Sequence, residues 1–253
     1  MSTPQGPRKR LPENPSEENL RKQAKRLAKD EGLQLAAAQR QLAIEYGYQN
    51  WAELMEAVVD RFVPFLPLRG LIAFPHEVYP IYIGRGRSIK AIEAAEKAKS
   101  PILLLAQKDA LIGAPSAADM YAVGTLGELA EVVRLPDGTI KTMIEGKKRV
   151  RVSRLVFDKE FFKAEVEALE EPTASSVDLE LLILRVLSAF NTRAQSDSNL
   201  SQTMAQVLAL GEPSVLPDKL VGHLKMPIAD KQVLLETINP MERLEKILGY
   251  LSA

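Results

Sequence analysis

Hydrophobic positions along this chain change their period twice. From Glu17 to about Val58 they recur every three or four residues, as on a helix with one buried stripe. The pattern predicts one helix over Glu17 to Lys29. Ser16 caps it, Glu17 and Glu18 suit its positive end, and Lys25, Arg26 and Lys29 suit its negative end. A second helix is predicted over Leu33 to Tyr46, closed by Gly47. Asn50 starts a third that carries Trp51, Leu54, Met55 and Val58 on one face. Leu20, Leu27, Leu42, Ile44 and Trp51 are the expected core of this small module.

Between Phe62 and Glu171 the period becomes two. Ile140, Thr142 and Ile144 alternate with Lys141, Met143 and Glu145. Val150 and Val152 alternate with Arg149 and Arg151, and Phe162, Ala164, Val166 and Ala168 alternate with Lys163, Glu165 and Glu167. Such alternation puts one face of each strand in a core and the other in water. Ile102 to Ala106 is a continuous apolar run of a fully buried strand, and Ser88 to Ala95 is a short helical insertion. Asp137-Gly138 between two β-rich runs marks a tight hairpin, because its centre needs positive φ. Prolines at 64, 67, 75 and 80 forbid a regular helix there and suit edge strands and turns. Several strands with one helix predict a strongly bent sheet or small barrel.

After a linker at Glu170 to Val177 the helical period returns. Asp178 opens a helix with Leu179, Leu182, Ile183, Val186, Leu187 and Phe190 on one face. Further helices are expected at Ser201 to Leu210, Pro217 to Leu224 and Ala229 to Thr237. Asn239-Pro240 starts a last one, with Met241, Leu244, Ile247, Leu248 and Leu251 as its stripe and Glu242, Arg243, Glu245 and Lys246 on its surface. The fold class is therefore α+β. The expected divisions are a disordered tail (1–16), a small helical module (17–61), a β domain (62–171) and a helical bundle (178–253).

Composition narrows the function. The 253 residues carry 33 basic and 33 acidic side chains, so no net field points to nucleic acid or membrane. Cysteine is absent, which excludes disulfides, thiolate metal sites and a cysteine nucleophile, and suits a reducing compartment. The start of the chain is polar and no run reaches the ~20 apolar residues of a membrane span, so the expected location is cytoplasmic. His76 and His223 are too few for a metal site; His76 reads as a turn residue and His223 as a packing one. No phosphate-cradling G-x-x-x-x-G-K-[ST] loop is present, and no serine or lysine stands in a recognisable catalytic setting. The expectation is a non-enzyme without cofactor or metal.

Seven short blocks, in order, carry a family resemblance. They are Pro67-Leu68-Arg69, Phe74-Pro75-His76, Pro80 with Gly84-Arg85, Ala106-Gln107-Lys108-Asp109, Tyr121 with Val123-Gly124-Thr125, Leu135-Pro136-Asp137-Gly138-Thr139, and Glu145-Gly146 with Arg149. Together they resemble the N-terminal, substrate-binding domain of the Lon ATP-dependent proteases. His223-Leu224-Lys225-Met226-Pro227 and the Lys231 to Leu248 segment resemble the helical bundle that follows it in that family. The resemblance implies a PUA-like β pseudo-barrel, then a helical bundle, standing alone without the ATPase and protease domains. It further implies recognition of unfolded or degron-bearing polypeptides, with an adaptor or regulator role toward a separate protease. The N-terminal block resembles a helical module found beside varied bacterial domains and implies no activity.

Leu71, Phe74, Val78, Tyr79 and Tyr82 are the candidate residues of an apolar peptide groove, to which an extended chain could add as a strand. The alternative is RNA or DNA binding. Lys147, Lys148, Arg149 and Arg151 form a basic cluster, and the N-terminal stretch carries a local +5. Period-two spacing already explains those basic side chains as a solvated face, and no aromatic is interleaved for base stacking.

Overall fold

The computed structural model describes residues 9, 17–59, 62–172, 177–194 and 215–252. The chain divides into two compact units, 1–62 and 63–253. Ser16 and the helix expected at Ser201 to Leu210 lie outside the described residues.

The first unit holds three helices, α1 (Glu17–Asp30), α2 (Leu35–Glu45) and α3 (Trp51–Val59). Leu20, Ala43 and Leu54 form its centre, with Tyr46, Tyr48, Trp51 and Met55 packed around them. Asn50 starts α3 as expected: its Oδ1 accepts the Glu53 N–H at 2.9 Å, and the Glu53 carboxylate accepts the Gln49 N–H at 2.7 Å. Gly47 ends α2 with a φ of 89°. Ile44, expected in the core, is 56% exposed. On α2 the inward positions are Ala38, Leu42 and Ala43, and Ile44 falls outside that narrow arc.

The second unit is built on six strands: β1 (Phe62–Leu68), β2 (Val78–Ile83), β3 (Ile102–Ala106), β4 (Val123–Arg134), β5 (Ile140–Phe157) and β6 (Phe162–Ala168). Their order is β2-β5-β4-β3-β1-β6, and β6 pairs back onto β5. The sheet therefore closes into a ring of β5, β4, β3, β1 and β6, leaving β2 outside the ring. β2 with β5, β3 with β4, β4 with β5 and β5 with β6 pair antiparallel, and β1 with β3 pairs parallel. The long strand β5 makes this possible. Its first half pairs with β4 and β2, and from Val150 onward it pairs with β6. The β4–β5 hairpin turns at Gly138, whose φ is 83°. Helix α4 (Gly86–Ala98) joins β2 to β3, burying Ala91, Ile92 and Ala95 beside Leu66, Ile102, Leu104, Ile140 and Ile144. A second interior cluster stacks Phe65 on Phe162, with ring centroids 5.3 Å apart and Phe157 edge-on to both.

Helices α5 (Val177–Ala194), α6 (Leu216–His223), α7 (Ile228–Glu236) and α8 (Pro240–Ser252) complete this unit. Leu179, Leu182, Val186 and Phe190 of α5 meet Leu244, Ile247 and Leu251 of α8. Ile72, Phe74, Ala106 and Val123 from the β portion share that same core. Among the described residues no helix is long and apolar enough to cross a membrane.

Two surface assignments are corrected. Arg243 is not a surface residue of α8; it is wholly buried. His223 is exposed rather than packed, because the inward face of α6 is taken by Leu216, Leu220 and Val221.

Candidate functional site: a cleft along an open strand edge

Strand β2 has a neighbour on one side only, and its other edge has no strand partner among the described residues. A mid-strand proline, Pro80, fits such a position, since a central strand would need the missing N–H. Beside β2 lies a cleft of 280 Å³. Leu66, Pro67 and Leu68 line it from β1, and Ile81, Tyr82 and Ile83 from β2, with Arg69, Leu71, Gly84, Arg85 and Ser88 completing it. Consecutive residues of β2 in its lining mean that the cleft follows that strand's edge, while β1 opposite is paired on both sides, with β3 and β6. Its floor is apolar and its rim carries arginine.

The segment before β2 is held rigidly. Tyr79 Oη accepts the Phe74 N–H at 2.7 Å, and Thr125 Oγ1 donates to the Ala73 carbonyl at 2.6 Å. Burial pushes the Tyr79 hydroxyl well above its ordinary pKa, so it stays protonated. His76 adopts a φ of 64° and donates its N–H to Gly146 O at 2.8 Å. Gly146 is required here, because a Cβ would collide with the Phe74 carbonyl oxygen. On the β1 side, Arg69 Nη2 donates to Ile112 O (2.7 Å) and Gly113 O (3.1 Å), which holds the loop carrying Leu111, 90% exposed.

The expected groove residues separate. Tyr82 is 65% exposed and lines the cleft, Val78 is 48% exposed on the same face of β2, and Leu71 is a half-buried lining residue. Tyr79 faces the interior with its hydroxyl engaged. Phe74 is excluded: it is 1% exposed and packed between the β portion and the bundle. The sequence reading missed Leu66, Ile81, Arg85 and Ser88. Ile81 carried a signal, since it alternates with exposed Tyr82, but nothing in the sequence places β1 opposite β2.

The basic cluster is also divided. Lys148 and Arg151 are exposed. Lys147 pairs with Glu145 at 2.7 Å and lies 3.8 Å from Glu128; the first of these contacts does most to raise its pKa. Arg149, expected on a solvated face, is 1% exposed. The cause is a register shift between Leu126 and Gly127, which leaves Lys147 unmatched and resets the phase of β5. Beyond it the helices cover the Arg149 face. Arg149 pairs there with Glu171 and Asp218, and its Nε donates to Leu235 O at 3.1 Å. Arg243 joins them, donating to Thr237 O at 2.9 Å, Ile238 O at 3.0 Å and Glu171 Oε2 at 2.8 Å. This ionic joint ties β5 to α6 and α8. No single cationic surface remains on β5, and among the described residues no group of histidines, cysteines or carboxylates could hold a metal.

A second hollow, of 580 Å³, lies between α5 and α8, with Leu181, Leu182, Leu184 and Met241 beside Asp178, Arg185, Ser188 and Glu245. Helices satisfy their own backbone, so this hollow offers side-chain contact alone.

The architecture is a closed ring of strands with β2 outside it, sharing its core with a helical bundle. Residues 63–253 match the family model for the ATP-dependent protease La (LON) substrate-binding domain, and the chain belongs to that family. The Lon protease of Escherichia coli K12 is 34% identical over 192 residues, 76% of this chain and 24% of the relative. Lon protease 1 of Myxococcus xanthus is 41% identical over 191 residues, 73% of this chain and 23% of the relative. The chain thus spans about a quarter of the length of these curated relatives. In fold it is similar to the N-terminal domain of a Mycobacterium avium complex Lon protease, with a TM-score of 0.59 and 22% identity over 76% of this chain and 98% of that one. It is also similar to a Lon N-terminal domain protein from Xanthomonas campestris, with a TM-score of 0.54 and 19% identity over 75% and 98%.

Proposed function

We propose that the β1–β2 cleft binds extended apolar segments of unfolded or degron-bearing polypeptides, the incoming chain adding a strand to β2. The observation that supports this most is the open β2 edge beside an apolar cleft, in a member of a substrate-binding family. The edge offers backbone donors and acceptors, which are indifferent to client sequence. Leu71, Ile81 and Tyr82 offer apolar contact above the buried Leu66 and Leu68, at about 1.5–3 kcal/mol for each client side chain that becomes fully buried. Association costs about 4 kcal/mol or more, so one segment binds weakly and clients with several such segments gain by avidity.

On this reading the chain is a non-catalytic interaction module of the cytoplasm, delivering clients to a separate ATP-dependent protease. Fluorescence anisotropy with a permanently unfolded, labelled polypeptide tests the binding step. Saturable binding that Tyr82→Asp weakens is expected; binding that ignores this change, or none, would sink the proposal. The delivery step has its own assay, in which a Lon protease should degrade the same polypeptide faster when the chain is added. Steeply salt-dependent binding of labelled RNA without polypeptide binding would instead favour a nucleic-acid role.

A further inference from the structure

Helix α5 is apolar on two sides. Leu179, Leu182, Val186 and Phe190 recur every three or four residues and enter the core. Leu181 and Leu184 stand on the opposite side of the helix, each more than half exposed. With Met241 of α8 they border the 580 Å³ hollow. A helix packed on one side normally keeps its other face polar, so a second leucine pair in water marks a contact surface. Asp178, Arg185 and Glu245 also line the hollow, and none of the three forms an ion pair with a described residue.

The charge pattern identifies the partner. Asp178 and Arg185 are seven residues apart, close to two whole turns, so they occupy one flank of the leucine pair with opposite charge. A second copy laid antiparallel across a two-fold axis brings like flank against like flank. Asp178 of each copy then faces Arg185 of the other, and the four leucines meet between these two pairs. In a parallel copy that flank would face the opposite one, and Asp178 would meet no cation. Glu180 holds that opposite flank and does not line the hollow. Opposite charges in equal number about an apolar centre make the surface complementary to itself, which is the condition for an isologous contact.

We infer that α5 pairs antiparallel with α5 of a second copy of this chain, forming a dimer about a two-fold axis. One helix per copy is a small surface, so the dimer is weak and reversible. It gives each assembly two β2 clefts. Where those clefts bind clients, as proposed above, a polypeptide with two apolar segments is held more tightly by the pair than by one cleft.

Sedimentation of the full chain tests the contact. Between about 5 and 200 µM its mass should rise from 28.0 kDa toward twice that value. Asp178→Arg alone, or Arg185→Asp alone, should weaken association about tenfold or more, because each sets like charges together at both pairs. An equimolar mixture of these two variants should associate as the parent does, since every pair is then opposite in charge. Leu181→Asp combined with Leu184→Asp should stay at 28.0 kDa and keep the parent's urea midpoint, both positions being exposed. That variant should bind a one-segment peptide like the parent and a two-segment polypeptide more weakly. A parent that remains monomeric, or a mixture that associates no better than its components, overturns the dimer. A lowered midpoint in the double-leucine variant would place another part of the same chain over the hollow and overturn it too. Dimers that bind no polypeptide would sink the cleft reading and leave this contact standing.

Discussion

The ionic joint and the β2 cleft invert the usual arrangement of a protein. At the joint, four charged groups (Arg149, Arg243, Asp218 and Glu171) lie between strand and helices, with both arginines and Asp218 essentially inaccessible. At the cleft, Tyr82 stands in water, with Val78 exposed on the same face of β2, beside an edge that no strand among the described residues covers. The difference separates two tasks. Buried charges have few arrangements that satisfy them, so they fix how the β portion sits on the bundle. Open apolar edges accept many partners, which suits a surface that must tolerate varied clients.

The largest effect should come from unbalancing the joint. Asp218→Ala leaves two buried guanidinium groups with one shared carboxylate and should cost about 3–5 kcal/mol, read as a fall in the urea midpoint. A loss below about 1 kcal/mol would show that water reaches the joint. Glu171→Gln should cost less, since Glu171 is 27% exposed and solvent can take over part of its role. At the cleft the signs change. Tyr82→Asp should cut binding of unfolded polypeptide about tenfold or more while moving stability by only about 0.5 kcal/mol. A joint variant with normal binding per folded molecule and a cleft variant with normal stability would sharpen the division; the reverse pairing would break it. Reversing Lys148 and Arg151 together to glutamate should leave polypeptide binding within about twofold, since neither lines the cleft.

A further effect concerns pH. The folded-state pKa of Tyr79 is raised above the ordinary tyrosine value of about 10, chiefly by burial. Its contribution is therefore complete below about pH 10 and is lost as pH climbs toward the folded value. Tyr79→Phe should lose about 1 kcal/mol near neutrality, from the hydroxyl that accepts the Phe74 N–H. Its stability should then fall less steeply in alkali than that of the parent. A parallel fall in both proteins would remove Tyr79 from the alkaline transition.

Legibility in the sequence followed the range of the interactions. The Asp137-Gly138 hairpin, the buried Ile102–Ala106 strand and the inward Ile140, Thr142 and Ile144 were readable, because turn chemistry and pleat period act between near neighbours. The family blocks extended that reading to the whole of 63–253. Arg149 and Arg243 were misread because charge usually marks surface, and each has a carboxylate partner far along the chain, 69 and 72 residues away. Phe74 was misread for the opposite reason: an apolar residue among prolines and turns looks available, yet Gly146 lets its backbone settle against β5. Of the residues named from the sequence, Leu71 and Tyr82 line the cleft and Val78 does not; the opposing wall from β1 depends on how the sheet closes.

Amide hydrogen exchange along Val78–Ile83, followed with and without saturating unfolded polypeptide, tests strand addition most directly. The account predicts that β2 amides slow when polypeptide is bound, with smaller changes at Leu66 to Leu71 and at Gly86 to Ser88. Protection confined to α5 and α8, with β2 unchanged, would contradict it.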